Sequence, residues 1–236
     1  MAGRQALQIE LAERPTGDII PGKTFRQRWL PVPKVDDLKD GELLVETLYL
    51  SLDPAMRGWL EDRRSYIAPI QIGEIMRAGA IARVIASRSD KAKTGDIVTA
   101  LTGFAEVRIL PEAAVDAPIE LPANGKVTDL LGVIGMTGLT AYFGMTKIGV
   151  PKPGETVVVT TAAGATGSVA AQIAQIAGAR VVGITGSDEK ARWLKEEMGL
   201  DVALNYKAPD FKEKFKEATP NFIDVFWDNG RPLYSC

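Results

Sequence analysis

The chain has 236 residues, 46% hydrophobic and 25% charged, with 28 basic against 30 acidic side chains and a net charge of −2. That balance gives no electrostatic footprint for a polyanion, so nucleic acid is not expected as a partner. There is no histidine and the single cysteine is Cys236, which excludes an internal disulfide framework, a Cys/His zinc site and the histidine-dependent nucleophilic pairs.

The N-terminal MAGRQALQIELAERP lacks the apolar run of a secretory signal. The uncharged stretch Leu130–Thr146 falls short of the ~18 apolar residues of a membrane span. A cytoplasmic protein without membrane contact is the expectation. In the first half, Val/Ile-rich segments at 42–49, 79–86, 96–101 and 105–109 predict short β-strands. Turn signals at 39–41 and 94–96 separate them. Near Leu121–Gly125 the rhythm changes, so residues 1–125 are read as a β domain and 126–236 as an α/β domain. Residues 129–145 read as a buried helix. Then come an apolar strand at 156–160, a helix at 167–177, a strand at 180–185 and a helix at 188–198. A strand at 202–205, a helix at 211–218 and a strand at 222–227 complete the alternation. Apolar strands alternating with helices predict a doubly wound parallel sheet.

Between the first such strand and helix lies TTAAGATGSV, Thr160–Val169. Ala162, Gly164 and Gly167 occupy the spacing G-x-G-x-x-G, with alanine in first place. A dinucleotide turn needs small residues there, and free backbone amides at a helix N-terminus to receive a pyrophosphate. The other reading, small residues that merely let a helix pack on a sheet, is outweighed by the strand, turn, helix and second strand in register. At the tip of the second strand, Thr185-Gly186-Ser187 supplies no acid for a ribose 2′-hydroxyl. Ser187 can donate to a 2′-phosphate and Lys190 adds a positive charge, which favours NADP(H) over NAD(H). Ser187 also reads as a helix N-cap and Lys190 as a solvated face residue.

A Tyr-x-x-x-Lys pair is absent: Asp53, Ile70, Thr146 and Asp210 stand four residues after four of the five tyrosines, and Tyr234 is too close to the end. Three motifs join the glycine turn: YLSLDPAMR (Tyr49–Arg57), GMTGLTAYF (Gly135–Phe143) and LNYK (Leu204–Lys207). Together they resemble the zinc-independent branch of the medium-chain dehydrogenase/reductases that includes prostaglandin/leukotriene reductases and alkenal double-bond reductases. The resemblance runs from about residue 5 to Asn229. It implies a GroES-like β domain followed by a Rossmann sheet, and NADPH-dependent reduction of the double bond of an enone or enal. Carried over by position, Met136, Thr137 and Thr140 line the cofactor groove. Ala162, Gly164, Thr166, Gly167 and Ser168 surround the pyrophosphate. Ser187, Lys190 and Tyr206 hold the 2′-phosphate, and Asn229 lies toward the nicotinamide. Tyr66, Tyr49 and Arg57 are the candidate catalytic residues. For Tyr66 the other reading is packing in a Pro-bounded loop, for Arg57 an ion pair with Asp53, and for Tyr49 a place in the core. Glu61–Arg64 reads as a solvated charge cluster. Two further functions stay open: a quinone reductase of the same superfamily and a non-catalytic NADPH-binding fragment. The fragment reading arises because the strand order 3-2-1-4-5-6 would stop at its fourth strand, with Arg231-Pro232 departing from the family pattern. The resemblance implies a homodimer, paired through a sheet edge beyond that strand.

Overall fold

The computed structural model describes residues 4–230; Cys236 and the departing run from Arg231 lie outside them. The chain divides into two compact units, residues 1–130 and 131–236.

In the first unit, β3 (Glu42–Leu50), β4 (Ala80–Ser87), β5 (Ile97–Ala100) and β6 (Val107–Pro111) form an antiparallel sheet of order β5-β4-β3-β6. These are the four strands expected from the Val/Ile patterning. Their inward faces bury Leu43, Val45, Ala82, Val84 and Leu110. A second sheet pairs β1 (Gln5–Leu11) with β2 (Phe25–Pro31). Sequence patterning names neither strand: apolar pairs such as Leu7 with Trp29 and Leu11 with Phe25 are interleaved with polar ones. Glu10, only 1% exposed, faces Arg26 across the ladder and Gln8 faces Arg28. Arg26 and Arg28 reach the Glu10 carboxylate at 2.8 and 3.2 Å, and Gln8 Nε2 donates to it at 2.7 Å. Burial pushes this carboxyl up, but the hydrogen bonds from Arg26, Gln8 and Arg28 together outweigh it and hold the group below its ordinary value. A short helix, α1 (Ala55–Gly58), follows β3.

In the second unit, residues 129–145 are not one buried helix. A 3-10 turn (Val127–Leu131) gives way to α2 (Met136–Phe143) and a π-helical turn (Gly144–Gly149). The break falls at Gly132–Gly135, where Gly135 N–H bonds back to Gly132 O, and Met136, Leu139, Tyr142 and Phe143 are exposed. Then β7 (Thr156–Val159), α3 (Ala165–Ile176), β8 (Arg180–Thr185), α4 (Asp188–Glu196), β9 (Val202–Asn205), α5 (Phe211–Ala218) and β10 (Val225–Trp227) alternate as expected. β10 is shorter than its sequence signal because Phe222 takes a left-handed turn, φ 68°. The four strands run parallel in the order β9-β8-β7-β10, which is 3-2-1-4 of a doubly wound sheet. Along β7 the faces alternate. Val157 and Val159 pack with Ala170, Ala171 and Ala174 of α3, whereas Val158 packs with Val182, Ile184 and Ala218. Alanines on α3 let the helix lie close to the sheet, which fixes where its N-terminus points.

Candidate functional site

β7 hands over to α3 through Thr160–Gly164. Thr160 N–H donates to Trp227 O, and Thr161 takes the left-handed region at φ 49°. Ala162 is fully buried and its N–H donates to Ile184 O at 2.9 Å, tying the turn to β8. Gly164 caps α3 and its N–H donates to Thr161 O at 2.8 Å. A Cβ on Gly164 would stand 3.1 Å from Thr161 O, and one on Gly167 would run into that same carbonyl oxygen and come within 3.0 Å of Ala162 Cα. Ser168 N–H bonds to Gly164 O. The N–H groups of Ala165, Thr166 and Gly167 find no acceptor among the described residues. Three unspent donors, no Cβ at Gly164 or Gly167 and the positive end of a helix dipole form an anion cradle. The Ser168 hydroxyl is turned inward, donating to Ala165 O at 3.2 Å.

Asn229 joins this turn from the end of β10. Its backbone N–H donates to Thr160 Oγ1 at 2.8 Å and its Nδ2 to Thr160 O at 3.1 Å. Thr160 Oγ1 is in turn 3.1 Å from Asp228 Oδ1. Thr160 and Asp228 join the candidate site through these bonds, and the motif spacing does not single them out; the buried hydroxyl at the strand end is their one signal.

At the tips of β8 and β9, Ser187 caps α4, its Oγ accepting from Lys190 N–H at 3.3 Å. Tyr206 lies against Gly186, where a Cβ would stand 3.4 Å from the phenol oxygen, so Ser187 and Tyr206 are neighbours. Lys207 adds a cation 5.8 Å from the Tyr206 ring. Asp188 begins α4 beside this cluster, but Asn205 Nδ2 engages its carboxylate at 2.9 Å. The Lys190 side chain is exposed on α4 and borders a groove of about 350 Å³ with Ala163, Arg192 and Trp193, which Glu189, Glu196 and Glu197 also line. The groove joins Lys190 to the glycine turn, while Ser187 and Tyr206 lie outside its lining. On α2, which packs on α3, Met136 is 78% exposed. The Thr137 and Thr140 hydroxyls donate to Gly132 O and Met136 O, so these residues present methyl groups rather than donors.

In the first unit no hydrogen bond links Tyr49, Arg57 and Tyr66 to one another. Tyr49 is half exposed on β3, in an apolar groove of about 280 Å³ shared with Leu7, Ile9 and Phe104, so it is not a core residue. Arg57 does not pair with Asp53, whose carboxylate accepts from Ser51 Oγ at 2.8 Å. The guanidinium instead meets Glu61 at 3.4 Å and the carbonyls of Pro15 and Gly17 at 3.3 and 2.8 Å. Nor is Glu61–Arg64 simply solvated: Glu61 also holds Arg63 at 2.8 Å, and Asp62 meets Arg14 at 3.7 Å. Tyr66 is 83% exposed, and its hydroxyl accepts from Trp59 Nε1 at 3.3 Å. Among the described residues no group of three acidic, histidine or cysteine side chains could hold a metal ion, and no helix is long and apolar enough to cross a membrane.

Residues 7–117 match a family model described as the N-terminal domain of oxidoreductase, and residues 165–230 one described as zinc-binding dehydrogenase. The chain is 47% identical over 231 residues to YfmJ of Bacillus subtilis, which carries the name of an NADP-dependent oxidoreductase; the match covers 96% of this chain and 65% of YfmJ. It is 40% identical to the NADPH-dependent curcumin reductase of Escherichia coli, over 93% of this chain and 62% of that one. The crystal structure of CurA from Vibrio vulnificus in complex with NADPH superposes with a TM-score of 0.84 at 36% identity, over 96% of this chain and 65% of CurA. The chain thus spans just under two thirds of the length of these relatives. The given sequence has no histidine for the Cys/His zinc centre that the second model's description suggests. The chain belongs to the medium-chain dehydrogenase/reductase superfamily, among relatives named as NADP-dependent oxidoreductases.

Proposed function

We propose that the chain is an NADPH-dependent reductase of the carbon–carbon double bond of α,β-unsaturated ketones or aldehydes. The observation that carries the cofactor half is the cradle at α3, where three unpaired amides meet Gly164, tight for a Cβ, and Gly167, which excludes one. These groups fit a pyrophosphate. The hydroxyls of Ser187 and Tyr206 and the Lys190 ammonium fit a 2′-phosphate. The carboxylate of Asp188 accepts from Asn205 Nδ2 through Oδ1. Thr160 and Asn229 hold the cradle's rear wall, and the exposed Met136 extends it along α2.

When bound, NADPH supplies a hydride. Addition at the β-carbon breaks the π bond and sends the electron pair to the carbonyl oxygen, and a proton then closes the α-carbon. Of the three first-unit candidates, Tyr49 and Tyr66 carry a hydroxyl proton, and the donation is assigned to Tyr66 because its oxygen already accepts from Trp59 Nε1. Solvent water returns the proton to Tyr66. Tyr49 offers an apolar wall, and Arg57, committed to Glu61 and two carbonyls, braces the loop at residues 15–17. The relative named for curcumin, itself an unsaturated diketone, supports this substrate class at 40% identity. The test is NADPH consumption with an enone, an enal and a quinone. Turnover of the first two is expected. Turnover of the quinone alone would replace this reading with a quinone reductase, and cofactor binding without any turnover would leave a binding protein.

A further inference from the structure

We propose that Trp59 is a positioning residue for proton donation by Tyr66, with Arg77 bracing it. The inference rests on the reading of Tyr66 given above. An 83% exposed tyrosine on the loop at 61–69 would ordinarily sample several rotamers, at an entropic cost to any step that needs one of them. Here the loop is pinned at its base, because Ile70 N–H donates to Trp59 O at 2.9 Å. Trp59 itself is fixed: its backbone N–H caps α1 and its ring packs on a core containing Leu11, Leu60 and Ile70. From that seat Nε1 donates to the Tyr66 hydroxyl at 3.3 Å.

Indole has no acceptor, so the Tyr66 proton must point away from Trp59 and toward solvent, where a substrate would present. An oxygen that already accepts a hydrogen bond is also the better donor. Once Tyr66 gives up its proton, the same N–H faces a phenolate, and a charge-assisted bond is roughly twice as strong as a neutral one. The Trp59 interaction is therefore stronger after proton loss than before it, and it belongs in kcat rather than in KM. Arg77 reinforces the arrangement twice. Its guanidinium donates through both Nη atoms to Ala68 O at 3.1 and 3.2 Å, and it lies 5.5 Å from the Trp59 ring centroid. A cation there draws electron density from the indole and sharpens its N–H as a donor.

The test uses the full 236-residue chain as parent, with W59F, Y66F and W59F/Y66F. In ¹H–¹⁵N spectra the Trp59 indole peak, identified by its loss in W59F, should move upfield in Y66F as its acceptor disappears. With an enone, W59F should lose about three- to tenfold in kcat at unchanged KM. The double variant should be no slower than Y66F. An indole peak unmoved by Y66F, or a W59F chain with full kcat beside an impaired Y66F, overturns the positioning role alone. A Y66F chain that turns over like the parent, or a parent without turnover, overturns the reading of Tyr66 beneath it.

Discussion

Ala162 stands where a dinucleotide turn carries its first glycine, and the backbone accounts for it. The left-handed residue of this turn is Thr161, so the next position needs no glycine conformation, and its methyl group fills the buried space beside Gly183. Gly167 is the position that cannot change, because its missing Cβ is what lets α3 cross the Thr161 carbonyl. Gly167→Ala should destabilise the chain by about 1–3 kcal/mol, seen as a lower urea midpoint at unchanged slope. Lys190 sits at the opposite extreme, exposed and bound only through its backbone. Lys190→Ala should leave the urea midpoint within about 0.5 kcal/mol of the parent while weakening NADPH binding about tenfold and NADH binding little. Equal losses for the two nucleotides by titration calorimetry would remove Lys190 from the 2′-phosphate. Spacing singled out the glycines and Ser187, and the family resemblance singled out Tyr206. Neither could reveal that Thr160 clamps Asn229, or that Asn205 donates to Asp188, because those partners lie 69 and 17 residues apart.

Elements were legible wherever apolar periodicity was their cause. β3 to β6 and the alternating second unit declare themselves through Val and Ile on one or both faces. The β1–β2 ladder does not, since pairs such as Glu10 with Arg26 and Gln8 with Arg28 are interleaved with its apolar ones, and such polar pairs look like surface in a hydropathy reading. Glu10→Gln tests how much that pairing holds. It leaves two guanidiniums facing a neutral amide, and should cost about 1–3 kcal/mol at neutral pH. The pH dependence has a definite sign. Glu10 is held below its ordinary value of 4.5 when folded, so its contribution is fully present above that pH and is lost as pH falls through the folded value. Glu46, held down by hydrogen bonds first from Arg83 and then from Arg4, adds to the same acid limb in both chains. The stability curves of parent and Glu10→Gln should therefore converge as the pH falls below 4.5 and through the folded value, measured by urea midpoint. Parallel curves would mean that the buried carboxylate is not a net source of stability.

Across the whole molecule, each unit carries its own core, and every group assigned to the cofactor lies in the second, from Met136 on α2 to Asn229 after β10. The parallel order β9-β8-β7-β10 brings the cradle, at the carboxyl end of β7, beside the tips of β8 and β9, which is where ligands sit in doubly wound sheets. This convergence was legible as a class, because alternating strands and helices allow few topologies. The broken run before β7 was not, since Gly132 and Gly135 interrupt a stretch whose composition alone reads as one helix. A ligand that binds only the folded chain stabilises it by mass action. At a free concentration about 100 times its Kd, NADPH should contribute about 2.7 kcal/mol and raise the thermal midpoint by about 5–10 °C. NADH presents the same pyrophosphate to the cradle but nothing to Ser187, Lys190 and Tyr206. If those contacts are worth at least tenfold in affinity, NADH at the same concentration contributes about 1.4 kcal/mol or less, and roughly half the shift. Hydrogen exchange should slow at the amides of Ala165, Thr166 and Gly167 with either nucleotide, and at the β8 and β9 tips with NADPH only. Equal midpoints for the two nucleotides would show that the strand-tip cluster does not read the phosphate, even with the cradle filled.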